Sequence, residues 1–298
     1  MSKIGFVGLG AMGSRIAGRL LDAGQELYGT NRTKSKAQPL IERGLRWRDT
    51  PREVAAAAQV VFSMVTDDAA LHAVTSGPDG ILAGLQDGKV YVDMSTVSPR
   101  ASREVAEQVR TVGAEMLDAP VSGSIPQAES GTLAIMVGGD EQAFRKVEPL
   151  LQELGQTVTR IGENGQGLVL KLAINISLAV QVLAFSEGLV LAERDGVDSR
   201  LAAEVMSASP IGSPMLKART RTWAAAWAAI GHITGAALLT KRTEITLSSS
   251  PCQPSFTRTS ATTLWAKAEL QSGPCTRRAG FWSLPTITAT TASMHRSC

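Results

Sequence analysis

Histidine and cysteine are the scarce residues of this 298-residue chain, with three of each. The cysteines, Cys252, Cys275 and Cys298, all fall in the C-terminal stretch, so nothing before residue 252 can form a disulfide, which suits a reducing cytoplasm. They lack metal-ligand spacing and no His/Asp/Glu cluster replaces them, so no metal site is expected. Before residue 217 the only histidine is His72, inside a helical pattern with no partner motif. A Ser-His-Asp triad or a histidine-driven hydride relay is therefore poorly supported. Tyr28 and Tyr91 are the only tyrosines, and neither has a lysine four residues on, so a tyrosine–lysine proton relay is missing too. The N-terminus runs from one lysine into Ile4-Gly5-Phe6-Val7 and a glycine motif, which reads as a strand rather than a signal peptide.

A surplus of either charge is also lacking, the net being +3. The balance is uneven, because residues 217–298 hold ten Lys/Arg against two Asp/Glu. Those basic residues are scattered, so no nucleic-acid partner is expected. Only one long apolar run exists, beginning at Leu168, and Lys171, Asn175 and Gln181 interrupt it. We expect the buried helix of a soluble protein there, and no membrane span.

What the chain does have begins with Gly8-Leu9-Gly10-Ala11-Met12-Gly13, entered from a short strand and followed by an amphipathic helix over 14–23. In this pattern Gly8 allows a tight turn, Gly10 lets backbone amides approach a pyrophosphate, and Gly13 lets helix and strand pack. The helix N-terminus supplies the anion site. A second strand, 26–30, ends about 20 residues beyond the glycines, where an Asp or Glu would hold the ribose of NAD. The residues there are Asn31, Arg32, Thr33 and Lys34, with no acid to repel a 2′-phosphate and a guanidinium, a hydroxyl and an ammonium to bind it. NADP is expected over NAD. A plainer reading makes Thr33 a helix N-cap, and it is compatible with the first.

Strand signals recur at 59–65, 89–94, 115–117, 132–139 and 157–161, separated by helical patterns at 51–57, 67–74, 99–112 and 140–154. Alternation of this kind predicts an α/β domain, a doubly wound parallel sheet of Rossmann type over residues 1–163. Ligands then lie beyond the carboxyl ends of the strands. The residues there are Met64, Val65, Thr66 and Asp67, then Ser95 and Thr96, then Ser122, Gly123 and Ser124. Helix caps at Thr66 or Asp67 and at Ser98, and a simple turn at 122–124, are the duller alternatives.

Gly165 and Gly167 open one long helix that ends near Arg194. Lys171 and Asn175 are four apart, so both heads leave one face of it. From this stretch alone, a lysine snorkelling to the surface and a lysine exchanging a proton with an alcohol are served equally. With histidine, cysteine and tyrosine removed, Lys171 is the remaining proton-exchanging group, provided burial lowers its pKa.

These pieces together resemble the β-hydroxyacid dehydrogenase family. The matching motifs are residues 8–13, Asp93-Met94-Ser95-Thr96-Val97-Ser98-Pro99, Asp118-Ala119-Pro120-Val121-Ser122-Gly123-Ser124, and Gly167 with Lys171 and Asn175. The resemblance implies hydride transfer between NAD(P) and a 3-hydroxy acid or its semialdehyde, with Lys171 as general acid/base. It implies that Asn175 holds the reacting oxygen and that Ser122, Gly123 and Ser124 bind the substrate carboxylate. Thr96 touches substrate or nicotinamide, and residues 64–67 line the cofactor. It further implies a long interdomain helix leading to an all-α second domain, and a homodimer or homotetramer if that domain is intact.

The resemblance covers residues 1–216. After about Arg219 the chain turns rich in Ser, Thr and Arg, carries four of the five tryptophans, and has no Asp after Asp198. The family's Lys-Asp pair is missing. Residues 164–219 are therefore read as the long helix and the start of an incomplete helical domain. Residues 220–298 are read as a divergent tail, by preference an out-of-frame translation and otherwise a genuine or disordered extension. A non-catalytic NADP-binding remnant is the competing function.

Overall fold

The computed structural model describes residues 3–217 together with Thr220. The expected divergent tail, apart from Thr220, lies outside the described residues.

The chain opens with β1 (Lys3–Val7), α1 (Gly13–Asp22) and β2 (Glu26–Thr30). A 3-10 turn (Lys34–Ala37) leads into α2 (Gln38–Glu42), β3 (Arg46–Trp47), α3 (Pro51–Ala57) and β4 (Val60–Ser63). Next come α4 (Asp68–Thr75), α5 (Ile81–Gly84), β5 (Val90–Asp93), α6 (Pro99–Thr111) and β6 (Glu115–Asp118). The sheet is completed by β7 (Val121–Ser122), α7 (Ile125–Ser130), β8 (Leu133–Gly138), α8 (Glu141–Gln152) and β9 (Gly155–Gly162). Two helices follow, α9 (Gln166–Arg194) and α10 (Ser199–Ala208).

The strands lie in the order β3-β2-β1-β4-β5-β6-β8-β7, with β9 also paired to β8. From β3 to β6 all pairings are parallel. The chain winds outward one way from β1 and then crosses to β4, so a crevice opens between their carboxyl ends. The expectation of a wholly parallel sheet needs one correction: β8 runs antiparallel to β6 and β7. A run of only α7 and a short turn joins β7 to β8, too short for the crossover that a parallel pairing demands.

Period-two alternation feeds two cores. Ile4, Phe6, Phe62 and Val92 point to the α1 and α8 face, whereas Val7, Val61 and Tyr91 point to the α3 and α6 face. Phe6 and Phe62 stack at 6.1 Å between ring centroids. Side-chain caps fix the helix starts: Thr50, Asp67, Ser98 and Asp140 each accept from a backbone amide of the first turn. Lys89, buried, donates its Nζ to Ala55 O at 2.6 Å and closes the carboxyl end of α3.

The long helix departs from expectation. It has the foreseen bounds, but it is not buried along its middle. Among the described residues Val169, Ile176 and Val180 are 50%, 66% and 60% exposed. Its first turn packs against the sheet through Gly167 and Leu168. Its far end packs Phe185 and Leu189 on Ala202, Ala203 and Leu216.

Candidate active site

Beyond the carboxyl ends of β1 and β4 lies a groove of about 530 Å³, lined by Gly8, Gly10, Thr30, Asn31, Arg32, Thr33, Lys36 and the Met64–Thr66 turn among others. The glycine loop fits it for a definite reason. A Cβ on Gly8, at φ +96°, would lie 2.3 Å from Met64 O, and one on Gly13 would lie 2.0 Å from Gly8 O. Both glycines are therefore required by the protein's own packing. A Cβ on Gly10 would meet no protein atom within 4 Å. The bare backbone at that position leaves room beside the N-terminus of α1, as a bound pyrophosphate requires. Leu9, Ala11 and Met12 complete the loop.

Asn31 fastens the far wall. Its Oδ1 accepts from Leu9 N at 3.0 Å and its Nδ2 donates to Thr33 O at 3.0 Å. The side chain is thus spent on holding the loop to the end of β2. Arg32, Thr33 and Lys36 are exposed along the groove. Among the described residues neither Arg32 nor Lys36 has an ion-pair partner. Thr33 stands before the 3-10 turn without a side-chain capping bond, so the plainer reading of it as a cap is not realised. Lys36 was overlooked in the sequence, although it continues the basic run that begins at Arg32.

A second groove, about 500 Å³, is lined by Thr66, Asp67, Asp68, Thr96, Val97, Ser98 and Leu172 among others. It brings the turn after β4 and the turn after β5 against the second turn of α9. Asp67 is also the cap of α4, accepting from Ala70 N at 2.8 Å. Lys171 and Asn175 are half-buried on α9, and among the described residues neither side chain makes a hydrogen bond. Burial lowers the Lys171 pKa, because desolvation penalises the ammonium. Ser122 closes β7, Gly123 has φ +141°, and Ser124 leads α7 with its amide donating to Gln127 Oε1. No hydrogen bond among the described residues joins these three to Lys171.

Behind both grooves sit two buried carboxylates. Asp93 Oδ1 accepts from Ser63 Oγ and Ser95 Oγ, each at 2.6 Å, and Ser95 Oγ accepts from Val65 N at 2.8 Å. Tyr91 completes the cluster against Ser63 Oγ at 2.7 Å. Burial raises the Asp93 pKa, with Asp118 adding to the effect, and it raises that of Tyr91 well above the usual value. Spacing gives neither carboxylate a role, because Asp93 also reaches Ser63 on β4 and Asp118 is met by amides at the head of α9.

Comparison with known proteins gives one consistent picture. Residues 3–162 match the model described as the NAD binding domain of 6-phosphogluconate dehydrogenase. Residues 165–231 match that of the NAD-binding region of NADP-dependent 3-hydroxyisobutyrate dehydrogenase, which reaches past Arg219. The chain is 38% identical over 213 residues to glyoxylate/succinic semialdehyde reductase 2, chloroplastic, of Arabidopsis thaliana, a match covering 72% of this chain and 60% of that protein. It is 41% identical over 196 residues to 2-hydroxy-3-oxopropionate reductase of Escherichia coli (strain K12), covering 66% and 67%. Among solved structures, 3-hydroxyisobutyrate dehydrogenase of Mycobacterium tuberculosis with L-serine superposes with a TM-score of 0.66 at 31% identity, covering 72% and 73%.

Proposed function

The chain belongs to the β-hydroxyacid dehydrogenase family, and we propose that it is an NADP(H)-preferring oxidoreductase acting on a small 3-hydroxy acid or its semialdehyde. The observation that carries this reading is Lys171, half-buried with its ammonium disfavoured, one residue from Leu172 in the groove that Thr66 and Thr96 share. A lysine whose proton is loosened by burial gives it up more readily to a developing alkoxide.

The nicotinamide, when bound, supplies or accepts the hydride at the substrate carbon. Lys171 Nζ gives its proton to the carbonyl oxygen as that oxygen becomes an alcohol, and takes it back in the oxidative direction. Asn175, one turn further along the same face, holds that oxygen through its amide. Ser122, Gly123 and Ser124 receive the carboxylate, and Thr96 borders the reacting end. Gly8–Gly13 cradles the pyrophosphate, and Met64, Val65 and Thr66 form the opposite wall. The preference for NADP rests on the cations of Arg32 and Lys36 and the hydroxyl of Thr33, placed where an acid would exclude a 2′-phosphate. No observation favours the competing reading of a non-catalytic nucleotide-binding remnant.

The test is reduction of a panel of small semialdehydes by the full chain, followed by loss of NADPH absorbance. Turnover that disappears in Lys171→Met is the expected result. Tight NADPH binding with no turnover of any carboxylate-bearing aldehyde would sink the catalytic reading and favour the remnant.

A further inference from the structure

Asp118 is the last residue of β6, yet its carboxylate serves a helix that starts far along the chain. Gly165 N donates to Oδ1 at 2.6 Å and Leu168 N donates to Oδ2 at 3.0 Å. Gly165 stands at the head of α9 with φ +87° and has no side chain to cap it. The amides of a helix's first turn have no partner within the helix, and here a strand carboxylate supplies one. The fit is close, because a Cβ on Gly138 would fall 2.6 Å from Oδ1 and one on Gly167 would fall 2.9 Å from Oδ2. Asn164 adds a tie, its Nδ2 donating to Met116 O at 2.7 Å. Lys171 is carried on the second turn of the helix held in this way.

We propose that Asp118 is the positioning residue for Lys171, capping α9 from the sheet and offsetting the positive end of the helix dipole with its charge. This rests on the reading of Lys171 as the proton-exchanging group. Asp118 and Asp93 are register neighbours at the same sheet edge. Asp93 holds the cofactor-side turn through Ser95 and Val65, while Asp118 holds the helix with the lysine. The two walls of the site are thereby fixed by adjacent carboxylates, each answerable for one. The charged groups on the surrounding elements are Asp93 on β5, Arg103 and Arg110 on α6, Arg160 on β9, Glu163 before α9, and Lys171 itself. Arg103 donates to Asn164 O at 3.1 Å and Arg110 to Asn164 Oδ1, so both arginines are engaged next door.

The decisive experiment is Asp118→Asn in the full chain, read by the pH dependence of Lys171 acylation by acetic anhydride, with peptide mass spectrometry. Burial is what holds the Lys171 pKa down, so a helix released from its cap should let the lysine titrate at higher pH. kcat should fall roughly ten- to a hundredfold through misplacement, with the KM for NADPH held within about twofold. A variant that merely melts earlier, with the lysine titration and kcat unmoved, overturns the proposal. The acylation readout needs no turnover. An inactive chain whose lysine titration still moves therefore supports the Asp118 link and counts only against the catalytic reading. If Asp118→Asn does not fold, Asp118→Glu decides: it keeps the charge but lengthens the arm against the close fit at Gly138 and Gly167, so kcat should fall with the KM for NADPH held within about twofold. An Asp118→Glu chain with wild-type kcat would overturn the link.

Discussion

The sheet strands and the long helix α9 are both strings of apolar residues, and the structure treats them in opposite ways. Ile4, Phe6, Phe62, Tyr91 and Val92 are fully buried because helices cover both faces of the sheet. The most apolar window of α9 has a mean hydropathy of 2.1, yet only 11% of it is buried. An apolar sequence states a demand for cover and leaves open where the cover comes from. A parallel sheet brings its own, since each crossover lays a helix on it. A helix apolar on all sides must be covered from all sides. Among the described residues α9 receives cover only at its two ends.

The largest effect is expected where the two regions meet. Lys171→Met should lower kcat by roughly 10²–10⁴-fold with NADPH affinity nearly unchanged, measured by steady-state kinetics and fluorescence titration. Affinity lost together with kcat would mean the residue holds up the nucleotide site and is not a proton donor. Next comes the direct contrast of burial. Phe62→Ala, in the stacked pair with Phe6, should cost about 3–5 kcal/mol in urea unfolding. Ile176→Ala, mid-helix and exposed, should cost under ~0.5 kcal/mol. A large loss at Ile176 would show that this face is covered in solution.

Arg32→Ala should weaken NADPH binding by about 10–100-fold and leave NADH alone, as removal of one charge-assisted phosphate contact predicts. Equal losses for both cofactors would refute the assignment of the 2′-phosphate to that side chain. The smallest effect concerns Asp93, whose folded pKa burial raises above its unfolded value of 3.8. Such a group binds its proton more tightly in the folded state, so its contribution is greatest below the unfolded pKa and is lost as pH rises through the folded one. Asp93→Asn removes that slope. The thermal stability of the variant relative to wild type should therefore rise as pH climbs above the unfolded value of 3.8. A difference independent of pH would show that Asp93 does not titrate with a raised pKa.

What the sequence disclosed about this architecture was whatever acts locally. The glycine loop, the N-caps at Asp67, Ser98 and Asp140, the strand cores and both ends of α9 follow from neighbours a few residues apart. The reversed direction of β8 does not, because it depends on how short the link from β7 is in space. The two-residue β3 and the short helices α5 and α7 carry too few residues for any period to register. The same limit governs the site. Gly8, Gly10 and Gly13 announce themselves; Lys171 is the proton carrier left when the others are eliminated, and Asn175 follows only from sharing its helix face. Asn31 lines the groove at the end of β2, but its clasp on Leu9 depends on a contact across 22 residues. Leu172 enters the second groove only because the fold brings α9 against the turns after β4 and β5.

The bond from Leu168 to Asp118 spans 50 residues, and this distance has a direction in time. A chain grows from its N-terminus, and domains begin to fold in that order. By the time the first turn of α9 leaves the ribosome, β1 to β6 have long been made and Asp118 is on hand to receive it. The helix therefore meets its starting block on arrival and does not have to nucleate alone, which is the costly step for any helix. The strand ends set where the last long element begins, and the order of synthesis runs with the order of assembly.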